Sequence, residues 1–182
     1  MAVIERVSAD PAPAVRASAA HIGPLEFEHG NRRGAVLDGC GSTQGGVAKT
    51  TTWSEFPKLW GPLLGQVHEF VRTRPELATG IGPERWQNVM LYKDQRPDVE
   101  VGVLASRPFQ AEEPVILSAL PAGEVATATH RGDYSKLGVT HEAVRGYAAA
   151  HGRELAGPCW EIYGHAPPDP SKAETEVFWF LR

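Results

Sequence analysis

One order of elements, strand, helix, strand, strand, occurs twice along this chain, over roughly residues 12–104 and again over 124–181. Neither copy can bury the apolar face of its helix alone, so the two must pack together. The copies resemble each other in their residues as well. The second strands end on Met90-Leu91-Tyr92 and Glu161-Ile162-Tyr163, and the third strands share Glu100-Val101 and Glu176-Val177. The pattern predicts an α+β fold of two duplicated halves with antiparallel strands and two main helices. Halves set side by side leave a groove between them, and ligand sites favour such interfaces.

The helices are read from their period. Trp53, Phe56, Trp60, Leu63, Leu64, Val67, Phe70 and Val71 recur every three or four residues, predicting a helix over 53–71. Thr52 and Glu55 have capping-box spacing, and Gly61-Pro62 marks a possible kink. The face Trp53, Phe56, Trp60 is expected to be mostly core. Leu137, His141, Val144, Tyr147 and Ala148 predict a second helix over 134–151, stopped by Gly152. Strands are expected at 86–92, 99–104, 115–120, 125–130, 160–163 and 175–181. Val3–Val7 alternates, and Ala14–Ala17 reads as a short strand. Residues 21–51 carry many glycines and few large apolar side chains, which predicts a long loop or hairpin insertion with Ala35-Val36-Leu37 as its only strand core.

Charge and cysteine content exclude several functions. Eighteen basic residues against 22 acidic ones give a net charge of −4, with no basic run longer than Arg32-Arg33. No direct nucleic-acid binding is expected, because phosphate neutralisation needs clustered Lys and Arg. No apolar run approaches the ~20 residues that span a bilayer, so no membrane partner is expected. Cys40 and Cys159 form no CxxC pair or disulfide framework, and the chain reads as cytoplasmic. Gln44–Thr51 imitates a phosphate loop, but Ala48 stands where a glycine is needed and Gln44 where the signature lysine would be. His68-Glu69 and His141-Glu142 begin zinc-protease patterns that end on Arg72 and Arg145 rather than on a second histidine. Neither a metal nor another cofactor is expected.

A series of landmarks then carries a resemblance. Leu120-Pro121-Ala122-Gly123 with Val125-Ala126, His130-Arg131-Gly132-Asp133-Tyr134, His151-Gly152 with Gly157-Pro158, Trp160-Glu161-Ile162-Tyr163 and Glu174-Thr175-Glu176-Val177 occur in that order. They resemble the GyrI-like (AraC-type effector-binding) family, with a looser match through Leu59-Trp60, Asn88–Tyr92 and Glu100–Val103. The resemblance implies two strand–helix–strand–strand modules related by a pseudo-twofold axis, with a central cleft for small molecules. It implies one GyrI-like domain over 1–182 with an insertion at about 21–51. No helix-turn-helix pair is readable before Thr52, so a stand-alone member is expected. Family members include effector domains of transcription activators, hydrolases that open cyclopropane rings of DNA-alkylating natural products, and an inhibitor of a gyrase.

The resemblance places Glu161 in the cleft. An ionised carboxylate in such a place needs a partner, and a cationic ligand with aromatic faces around it supplies one. The expected ligand is an aromatic or cationic small molecule. The expected wall residues are Tyr163, Tyr134, Trp160, Trp60, Trp86, Tyr92 and Trp179, with Phe178 as a further candidate. Strand alternation puts Glu161 and Tyr163 on one face and Trp160 on the other, which favours Tyr163 as the direct neighbour. If the protein is an enzyme, Glu161 and Tyr134 are the catalytic candidates. Desolvation of Glu161 would then support acid–base work, with Tyr134 donating to a carbonyl oxygen. The third alternative is inhibition of a gyrase-type enzyme through the surface.

Overall fold

Val99, Val101 and Val103 alternate along one strand, and all three turn their side chains into the same apolar cluster. That alternation recurs through the whole sheet. The computed structural model describes residues 34–39, 42–77, 86–94, 97–164 and 166–182. Its elements are β1 (Gly34–Gly39), β2 (Thr43–Thr50), α1 (Phe56–Arg72), β3 (Asn88–Tyr92), β4 (Asp98–Leu104), β5 (Ile116–Ala119), β6 (Gly123–Arg131), α2 (Leu137–Ala150), β7 (Leu155–Tyr163) and β8 (Glu174–Leu181).

Eight strands form one antiparallel sheet in the order β1-β6-β8-β7-β3-β4-β2-β5. Outward from the central β7–β3 pair, β8, β6 and β1 lie on one side and β4, β2 and β5 on the other. The first module is therefore β2, α1, β3, β4, and the second is β6, α2, β7, β8. In the central ladder Met90 faces Glu161. These two residues also match each other in the sequence repeat, so the pseudo-twofold axis passes between them.

Two apolar cores cover one sheet face. Leu64, Val67, Phe70 and Val71 of α1 pack on β2, β3 and β4, while Leu137, Val144 and Ala148 of α2 pack on β6 and β8. Tyr163 is packed against both cores. Each large aliphatic or aromatic side chain buried this way contributes about 1.5–3 kcal/mol. The opposite sheet face carries a third cluster of Val89, Leu91, Leu104, Leu120, Val125 and Trp160.

The predicted helices and six predicted strands are present, with ends shifted by a few residues. The structure differs from expectation at residues 43–50. These were read as part of a loop or hairpin insertion, yet they form β2, between β4 and β5. The reason is contact between backbones. Gly46 faces Gly102 across the β2–β4 ladder. A Cβ on Gly102 would lie 2.3 Å from the Gly45 carbonyl oxygen and 2.9 Å from the Gly46 Cα. The glycines that suggested a loop allow the close pairing. The phosphate-loop imitation at Gln44–Thr51 is thus strand for nearly all its length. Ala35-Val36-Leu37 lies in β1, as expected. The strands read at Val3–Val7 and Ala14–Ala17 lie outside the described residues.

Helix α1 begins at Phe56 and runs through Gly61-Pro62 to Arg72. Thr52 and Glu55 interact ahead of it: the Glu55 N–H donates to Thr52 Oγ1 at 3.3 Å, and the Thr52 hydroxyl donates to Glu55 Oε2 at 3.2 Å. Gly152 ends α2 at φ +66°, in the left-handed region where glycine is favoured. Among the described residues, no helix is long and apolar enough to cross a membrane.

Candidate functional site

Alternation along β7 turns Cys159, Glu161 and Tyr163 toward the helices, and Trp160 and Ile162 away from them. Glu161 is only 5% exposed and lies on the pseudo-twofold axis. Burial of a carboxylate at this level requires hydrogen-bond donors, and three are present. Tyr163 donates its hydroxyl to Glu161 Oε2 at 2.6 Å, and Tyr92 donates to the same oxygen at 3.0 Å. His141 Nε2 lies 2.7 Å from Oε1.

The near-symmetry of the fold explains this arrangement. Tyr92 and Tyr163 end the matching strands β3 and β7, so they straddle the Met90–Glu161 pair. Both hydroxyls also lie near Met90 Sδ, at 3.8 and 3.6 Å. Trp53 stands three residues before the first residue of α1, and Tyr134 three before that of α2. Each lays its ring 5.6 Å from its module's strand tyrosine, Trp53 on Tyr92 and Tyr134 on Tyr163. Trp60 and His141 each stand four residues after the first residue of their helix. The two halves thus contribute similar frames. The symmetry breaks at the axis, where one module supplies a thioether and the other an acid.

Trp179 on β8 completes the cluster. Its indole N–H donates to His141 Nδ1 at 3.1 Å. An indole N–H can only donate, so Nδ1 must be the acceptor and the imidazole proton resides on Nε2, directed at Glu161. Burial, followed by the nearby Glu161 charge, raises the Tyr92 and Tyr163 phenols well above the usual tyrosine range, so both remain donors. The same two causes push the Cys159 thiol up to about 12.

The loop carrying Tyr134 is held from below. His130, at the end of β6, is 7% exposed, with Nδ1 2.9 Å from Thr140 Oγ1 of α2 and Nε2 3.0 Å from the Asp133 carbonyl oxygen. Asp133 in turn accepts from the Ser135 N–H at 2.8 Å.

The residues expected at the site divide into two groups. Tyr163, Tyr92, Tyr134 and Trp179 cluster around Glu161. Trp160 does not: it is 3% exposed in the cluster on the opposite sheet face and stacks on Phe178 at 5.3 Å. Trp86 is buried in the core under α1, 5.2 Å from the His68 ring. Trp60 on α1 is 42% exposed and Trp53, ahead of α1, is 55% exposed, although periodicity placed both on a helix face expected to be mostly core. Neither His141 nor Met90 was singled out for the site, and Trp53 was assigned to the core. His141 had a detectable signal, being one turn after Leu137 on the sheet-facing side of α2. A separate depression of about 530 Å³, lined by Arg74, Leu77, Arg107 and Phe109 among others, includes none of the residues around Glu161. Its two arginines are paired with Glu112 and Glu76. Among the described residues, no group of three or more His, Cys, Asp or Glu side chains is arranged to hold a metal ion.

Two strand–helix–strand–strand modules around a buried acid define the class of this fold, a two-module α+β domain. The chain belongs to the GyrI-like small molecule binding domain family, which matches over residues 45–182. That span begins within β2, so it includes part of the strand that composition had suggested was an insertion. No curated protein matches the sequence. Among solved structures, the chain is similar to the crystal structure of the EcmrR C-terminal domain. The identity is 21% and the TM-score 0.66, covering 83% of this chain and 98% of that one. It aligns equally well with EcmrR in a cryo-EM complex with DNA, of whose chain it spans 57%. It is also similar to SAV2435 bound to tetraphenylphosphonium, at 12% identity and TM-score 0.55, covering 81% of this chain and 92% of that one.

Proposed function

We propose that this domain binds aromatic, positively charged small molecules between α1 and α2, with Glu161 as the counter-charge. The observation that carries this reading is the Glu161 carboxylate itself. It is buried, accepts from three neutral donors, and has no cation bonded to it among the described residues. Its negative charge is therefore organised by dipoles without being neutralised. Aromatic rings stand around it, and their faces add attraction for a cation. The half-exposed Trp53, Trp60 and Tyr134 supply apolar surface at the helix starts. The tetraphenylphosphonium bound to SAV2435 is a lipophilic aromatic cation, which fits this chemistry.

Binding is favoured over hydrolysis by the state of the carboxylate. A general base needs an oxygen free to take a proton from water. Here Oε2 receives both tyrosines and Oε1 receives His141, so three of the carboxylate's roughly four acceptor positions are already taken.

Tetraphenylphosphonium and a neutral triaryl compound of similar size, titrated by tryptophan fluorescence against wild type and Glu161→Gln, test the reading. A unit charge ~5 Å from the carboxylate, at an effective dielectric constant of ~20, is worth roughly 3 kcal/mol. The cation should therefore lose about a hundredfold in affinity, and the neutral compound little. Mass analysis should recover both compounds intact. Equal losses for the two, or no saturable binding of the cation, would defeat the proposal. Gain of the mass of water by a carbonyl-conjugated cyclopropane compound, with wild type alone, would establish the hydrolase instead.

A further inference from the structure

We propose that Trp179 is a positioning residue acting through His141, holding the imidazole as a neutral Nε2–H donor so that Glu161 keeps its full negative charge until acid protonates His141 at Nδ1. Any consequence for ligands rests on the binding reading above, but the state of His141 does not.

The argument follows from donors and acceptors. Imidazolium carries an N–H on both ring nitrogens, whereas neutral imidazole carries one. With the Trp179 N–H 3.1 Å from Nδ1, a second proton there would set two donors against each other. Protonation must therefore break that bond and move the ring or the indole. Imidazole is the side chain whose ordinary range of protonation lies closest to neutral pH. Around the His141–Glu161 pair, β7 contributes Cys159 and Tyr163, and β3 contributes Tyr92, all three held protonated by burial. On α2, Arg145 lies one turn beyond His141 with its guanidinium 5.5 Å from the Trp179 ring, where it adds to the cost of a second positive charge. A histidinium beside Glu161 would make the cluster neutral and remove the partner of a bound cation. Acid should therefore release cations, in a step governed by a residue that need not touch the ligand.

Nitrogen-15 NMR of the full chain without ligand tests the proposal. His141 is one of seven histidines and is assigned by its loss in His141→Gln. At pH 7.5 wild type should show Nδ1 unprotonated and Nε2 protonated. Trp179→Phe removes the donor, so protonation at Nδ1 becomes easier. Loss of an ordinary hydrogen bond corresponds to about a fivefold change in that equilibrium, or a midpoint about 0.7 pH units higher. In parallel, tetraphenylphosphonium affinity should fall as wild type is acidified from pH 8 to 5, and stay flat in His141→Gln, which keeps an N–H donor but does not titrate. An Nδ1–H tautomer or an imidazolium in wild type at pH 7.5 overturns the proposal. So does a Trp179→Phe midpoint coincident with that of wild type. The tautomer measurement uses wild type and does not depend on a variant folding. If the phosphonium does not bind while His141 behaves as stated, the binding reading fails and the Trp179–His141 relay stands.

Discussion

Replacing Tyr163 by Phe removes one hydroxyl, and its effect should reverse with the identity of residue 161. In wild type the hydroxyl donates to Glu161 at 2.6 Å, in a region where the acid is 5% exposed. A hydrogen bond to a charged acceptor contributes about 1.5–3 kcal/mol, and this one is short. Tyr163→Phe should cost about 2 kcal/mol. With a urea m-value of roughly 2 kcal/mol/M, the midpoint would fall by about 1 M. Next, Glu161 is replaced by Met, the residue that already occupies the matching position at Met90. The Tyr163 hydroxyl then keeps only Met90 Sδ, 3.6 Å away and a weak acceptor. Deleting a poorly satisfied buried hydroxyl is close to neutral or stabilising. The coupling between positions 161 and 163 should therefore be about 2 kcal/mol, read from urea unfolding of the four proteins in a double-mutant cycle. Tyr147 provides an internal comparison. Its hydroxyl is buried with no hydrogen-bond partner, so Tyr147→Phe should leave the midpoint unchanged or raise it. An equal cost for Tyr163→Phe in both backgrounds would show that the hydroxyl does not serve the carboxylate.

Three further outcomes are expected. Tyr92 and Tyr163 keep their protons in the folded state above the unfolded value of 10.0. Their contribution to stability is therefore complete below pH 10 and is lost as pH rises further, by up to about 1.4 kcal/mol per pH unit for each. Ultraviolet titration of the four tyrosines should show two that ionise only on unfolding. Cys159, with its thiol pushed up to about 12, should resist iodoacetamide at pH 8 until denaturant is added, as peptide mapping can show. Gly102→Ala sets a Cβ 2.3 Å from a backbone carbonyl, where no side chain can yield. It should cost at least about 3 kcal/mol, whereas Gly138→Ala, with open space around its Cα, should cost nothing and gain helix propensity. Thermal unfolding compares the two.

The elements with clean periods were legible in the sequence. Val99, Val101 and Val103 gave β4 by alternation, and Leu137, Val144 and Ala148 gave α2 by three- and four-residue spacing. Strand parity was enough to place Glu161 and Tyr163 on one face and to put Trp160 on the other. β2 was not legible, because Thr43–Thr50 shows no clear apolar alternation. Its glycines signal a turn in isolation and a close backbone contact only when Gly102 lies opposite. Trp53 was assigned to the core, and only Trp60 of that face to the cleft wall, because hydrophobicity reveals which face of a helix is apolar, and not whether that face meets other side chains or a cleft.

By itself, then, the sequence determined two helices, the strands that follow each of them, and one acid flanked by a tyrosine on one strand face, because each follows from spacing along a single element. Tertiary structure decided the rest. The β3–β7 register set Tyr92 opposite Cys159 and Met90 opposite Glu161. The packing of α2 onto β8 brought His141 between Trp179 and Glu161. Hydrogen bonds between residues 20, 38 and 69 positions apart have no local pattern to announce them. They exist because buried polar groups must find partners, and only the docking of strands and helices determines which partners are within reach.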